Sequence, residues 1–62
     1  MVELIVTEDL ARLSALRSLL GEAGIESWVF DVFAPWPGAM PKRVMVREAD
    51  RDDAERLLAE LG

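Results

Sequence analysis

The chain has no cysteine, no histidine and no tyrosine, and Lys42 is its only lysine. Without cysteine no disulfide can staple the fold. Without histidine the commonest metal ligand and general base is missing. A chain of 62 residues buries only about 60% of its unfolded surface. Stability must therefore come from one well-packed core or from an oligomer. No apolar run is long enough to cross a bilayer, and MVELIVTED carries no basic segment before an apolar one, so neither a membrane span nor a signal peptide is expected. Positive charge is scarce, and the net charge is −5. Such a balance repels phosphate backbones and anionic membranes, so nucleic acid and membrane are not expected as partners. A cytoplasmic location is the simplest expectation.

The residues present are those of a globular chain, 52% hydrophobic and 31% charged. Val2, Leu4 and Val6 alternate with Glu3, Ile5 and Thr7, the period of a strand. Thr7 then stands where a helix cap belongs, with Glu8 and Asp9 in the first turn against the positive end of the helix dipole. Leu10, Leu13, Leu16, Leu20 and Ala23 recur at helical steps, and Gly24 stops the pattern. The β-branched and aromatic run over 25–33 reads as a second strand, and KRVMVR over 42–47 as a third. Asp50 is placed to cap a second helix, with Asp52 and Asp53 in its first turn and Ala54, Leu57, Leu58 and Leu61 on one stripe.

The order β-α-β-β-α over 1–62 implies one domain of the α+β class. The first helix is long enough for a right-handed crossover, which makes strands 1 and 2 parallel. Inserting strand 3 between them gives a ferredoxin-like three-stranded antiparallel sheet of order 1-3-2, with two helices on one face. Leu4, Val6, Ile25, Val29, Val44 and Val46 have the parity to face those helices. The opposite parity exposes Glu3, Ile5, Glu26, Trp28, Phe30, Val32, Arg43, Met45 and Arg47. A solvated sheet face should be mostly polar, and this one is half apolar. Ile5, Trp28, Phe30 and Met45 are therefore candidate interface residues, of residue types that favour interface centres. Self-association is expected through this face or through the edge of strand 1, so the chain is expected to be a homodimer. An unidentified protein partner is the other possibility.

Between strands 2 and 3 lies FAPWPGAMPKR. Pro35 and Pro37 stiffen the chain around Trp36, Gly38 permits positive φ, and Pro41 ends the connection. The stretch is a stiff hairpin connection, and Trp36 joins the candidate interface, either packed on the sheet or standing out as an anchor.

Catalytic chemistry finds no support. Ser14, Ser18 and Ser27 have no activating base near them in sequence, and the acids at 50–53 suit a helix start. The chain has no calcium-loop pattern and no phosphate-binding glycine loop. No catalytic residue, metal or cofactor is expected. Lys42, Arg43 and Arg47 stand out in an acidic chain. They are candidate contacts for a small anion, or they balance Glu3, Glu26 and Glu48.

Several segments also resemble a known family. ELIVTEDL resembles its opening strand and helix cap, LLGEAGIES its turn into strand 2, and Asp31 with PKRVMV its third-strand entry. Asp50, Ala54, Leu57 and Leu58 resemble its closing helix. The chain is thus similar, over nearly its whole length, to a small bacterial family of unknown function labelled "putative signal transducing protein", whose members resemble the PII nitrogen-signalling proteins in fold. The chain departs in the strand 2–strand 3 loop, which is shortened to FAPWPG and keeps only Gly38 of a longer glycine-containing segment. The resemblance implies a ferredoxin-like fold and a role in signalling. Together with the missing catalytic groups, it points to a non-enzymatic regulatory or adaptor module, the alternative being a sensor of an anionic metabolite.

Overall fold

The computed structural model describes residues 1–33, 38 and 40–61. Three strands and two helices follow in the order β1 (Val2–Thr7), α1 (Leu10–Glu22), β2 (Ser27–Asp31), β3 (Lys42–Val46) and α2 (Arg51–Glu60), with a short 3-10 turn, Glu48–Asp50, leading into α2. The sheet order is β1-β3-β2, and β3 is antiparallel to both neighbours. This is the expected α+β, ferredoxin-like arrangement. Strand 2 is shorter than its apolar run, because Ile25 belongs to the turn that enters it.

Each boundary of α1 has a local cause. Two residues share the start of α1. The Asp9 side chain accepts the backbone N–H of Arg12, at 3.1 Å, and Thr7 Oγ1 accepts that of Asp9, at 3.1 Å. Asp9 is thus the cap expected at Thr7, and the helix begins after the acids instead of including them. At the far end Gly24 takes a φ of 76°. Its N–H donates to the carbonyl of Gly21, and the N–H of Ile25 donates to that of Leu20 at 2.9 Å. These two bonds satisfy helix-end carbonyls while Ile25 folds back beside Leu20 in the core.

Leu16 and Leu20 from α1, Ala54 from α2, Val44 and Val46 from β3, and Ile25 form the buried cluster. Both helices therefore cover one face of the sheet. Leu13, Leu57, Leu58 and Leu61 pack around the cluster. Leu10 leaves the expected α1 stripe and is 64% exposed.

β1 carries a correction to the expected faces. Glu3 pairs with Met45 and Ile5 with Val44, so Leu4 is an extra residue in a β-bulge. A bulge inserts one residue without a partner and shifts the alternation beyond it. Ile5 consequently shares the face of Val44 and packs against the core, as does Leu4. Val6, opposite Arg43, turns to the uncovered face and is 43% exposed.

Candidate functional site

The uncovered face of the sheet can be built row by row from the register. Glu3, Met45 and Trp28 lie across β1, β3 and β2, and Val6, Arg43 and Phe30 form the next row. Extending the β2–β3 register places Glu26 opposite Arg47 at one end. No helix covers these positions. Val6 and Phe30 are exposed, and Trp28 and Met45 are half-buried against their neighbours.

Glu3, Glu26 and Arg47 lie at the margins of this face, and Arg43, on the central strand, separates Val6 from Phe30. Arg43 Nε pairs diagonally with Glu3 at 2.9 Å. Arg47 reaches Glu26 at 3.2 Å and holds its guanidinium over the Trp28 ring, 5.4 Å from the centroid. That cation–π contact keeps one side of Trp28 covered by a weakly hydrated group. The two acids and two arginines of the face cancel in charge. The negative excess of the chain therefore lies off this face.

Trp28, Phe30 and Met45, among the residues singled out by sequence, come together here. Ile5 does not: the Leu4 bulge turns it to the core, and Val6 takes its place. Val6 was assigned to the core by strict alternation, and no sequence signal marks the bulge. Trp36 lies outside the described residues.

Lys42, Arg43 and Arg47 do not converge. Lys42 has the parity of Val44 and lies on the helix side at the end of the sheet, where it pairs with Asp31. Arg43 and Arg47 are on the opposite face, each already paired with a glutamate. A shared anion contact by all three has no geometric basis in this arrangement. Arg12 of α1 is half-buried, and its Nε is out of solvent without a hydrogen-bond partner among the described residues.

Two of the open clefts among the described residues border the sheet. One, of about 370 Å³, is lined by Glu8, Leu10, Gly38, Met40 and Lys42 at the end of the sheet. The other, of about 460 Å³, runs between α1 at Arg17, Ser18 and Gly21 and the outer side of β2 at Ser27 and Trp28. No helix of the described residues is long and apolar enough to cross a membrane.

The family model described as "Putative prokaryotic signal transducing protein" matches residues 1–62. No curated protein and no solved structure matches the chain.

Proposed function

The chain belongs to the family described as "Putative prokaryotic signal transducing protein", and we propose that it serves as a non-enzymatic regulatory module that passes its signal by protein contact through the uncovered sheet face. The observation that carries this is the grouping of Trp28, Phe30 and Met45 on one uncovered face, with Val6 across Arg43 and with charges that balance. Exposed apolar area of this kind, rimmed by polar groups, is characteristic of docking surfaces. Tryptophan and arginine are also the side chains whose truncation most often costs binding energy. The fitting partner is a protein with an apolar centre and a mixed-charge rim, since an excess of either charge would meet an unpaired frame.

The test places a photo-reactive residue at Phe30 in a prokaryotic host. The protein it captures is purified and titrated against the fluorescence of a Trp36→Phe chain, in which Trp28 is the tryptophan left. One recurrent adduct with a protein other than a second copy of this chain is expected, with binding that Arg43→Glu weakens at least tenfold while the circular dichroism spectrum is unchanged. Adducts scattered over many proteins, or binding indifferent to Arg43→Glu, would remove the sheet face from the mechanism.

A further inference from the structure

The two edges of the sheet are not equivalent. β1 is bulged at Leu4, and a bulge twists an edge and breaks the row of groups another strand would need. β2 is regular along its whole length against β3. Its sequence, SWVFD, contains no proline and no lysine, two of the devices that blunt an edge.

The direction of the free backbone groups on β2 follows from one bond. The N–H of Val32 donates to the carbonyl of Pro41 at 3.0 Å, across the same register. Hydrogen-bonded and non-hydrogen-bonded pairs alternate in an antiparallel ladder. Phe30 and Trp28 therefore direct their backbone groups toward β3. Ser27, Val29 and Asp31 direct theirs outward, away from the sheet. An open cleft lies beside the Ser27–Trp28 end of this edge, against Arg17, Ser18 and Gly21 of α1. Gly21 has no atom within contact of where a side chain would begin.

We propose that β2 is the self-association edge, pairing antiparallel with β2 of a second copy about a two-fold axis at Val29. The sequence of the strand is complementary to itself in that register. Val29 meets the partner's Val29, and the two exchange backbone hydrogen bonds. Ser27 lies opposite the partner's Asp31 on the helix side, a hydroxyl donor against a carboxylate. On the uncovered face Trp28 lies opposite the partner's Phe30, and Phe30 opposite the partner's Trp28. These two aromatic pairs fall at the non-hydrogen-bonded positions, where side chains approach most closely. The pairing doubles the sheet and joins the two apolar faces into one surface. It is independent of the proposed contact with a protein partner, because the face stays uncovered.

The test uses the whole chain. Sedimentation over a concentration series is combined with amide exchange followed by nuclear magnetic resonance. The sedimenting mass should double with concentration, and the Val29 and Asp31 amides should gain protection at least tenfold in the same range. A mixture of labelled and unlabelled chains should show contacts between the Trp28 ring and the partner's Phe30 ring. Val29→Pro removes an outward donor and should restore the monomer. If that variant unfolds, a synthetic chain N-methylated at Val29 serves in its place. A monomer at every concentration overturns the proposal and leaves the face reading intact. So does a dimer in which Val29 and Asp31 still exchange fast while Met45 and Arg43 become protected, which would place the second copy on the face.

Discussion

Gly24 and Gly21 are three residues apart, and the structure requires opposite things of them. Gly24 needs its φ of 76°, a region that costs a side-chain-bearing residue roughly 1–2 kcal/mol. A Cβ there would meet no atom, so the backbone conformation alone sets the cost. Gly24→Ala is expected to destabilise by about that amount, read as a lower urea midpoint at unchanged m-value. Gly21 lies inside α1 with equally open space around it. Gly21→Ala should therefore stabilise by up to about 1 kcal/mol, the helix-propensity difference. Equal effects of the two substitutions would mean that the α1 C-terminus is not held as described. The Gly24 stop was legible in the sequence because a glycine after an apolar helical stripe has one common use. The start was not, because Thr7 and Asp9 are both good caps. The structure uses both, with Thr7 holding the residue that caps the helix.

Among the elements, β1 is where alternation misled. Leu4, Ile5 and Val6 are all apolar, so the local pattern does not say where the faces change. The pairing with β3 decides it, and β3 is distant in sequence. Its own alternation is clear, with Val44 and Val46 fully buried and Arg43 exposed. The order 1-3-2 and the helix-covered face were legible because both helices and two of the three strands carry unambiguous patterns. Trp28, Phe30 and Met45 were placed correctly on the open face for the same reason. Deleting Leu4 tests the bulge directly. The residues on either side of it already pair with adjacent positions of β3, so the register of Glu3 with Met45 and of Ile5 with Val44 should survive the deletion. Loss of a half-buried leucine should cost about 1–3 kcal/mol. Cross-strand contacts in a nuclear magnetic resonance spectrum report the register. A shift by one residue, with Ile5 exposed and Val6 buried, would mean that Leu4 is part of the ladder.

Charge is distributed unevenly over the whole molecule, and this sets how two copies meet. Glu3 with Arg43, Glu26 with Arg47 and Asp31 with Lys42 neutralise one another around the sheet. The net −5 of the chain is left to the helices, their caps and the turns. Two copies joined along β2 bring their α1 helices to the same side of one sheet, so the excess charge approaches while the apolar pairs form. At 0.01 M ionic strength the screening length is about 30 Å, and at 0.15 M it is about 8 Å. Raising the salt should therefore tighten self-association, by several-fold in dissociation constant, because it screens repulsion between like-charged bodies and leaves backbone pairing and aromatic contact in place. Sedimentation at the two ionic strengths measures this. Weaker association at the higher salt would show that attraction between opposite charges holds the copies together, with Arg43 and Arg47 exchanging their glutamates across the interface. Two sheet faces set against each other would give that result; two β2 edges would not.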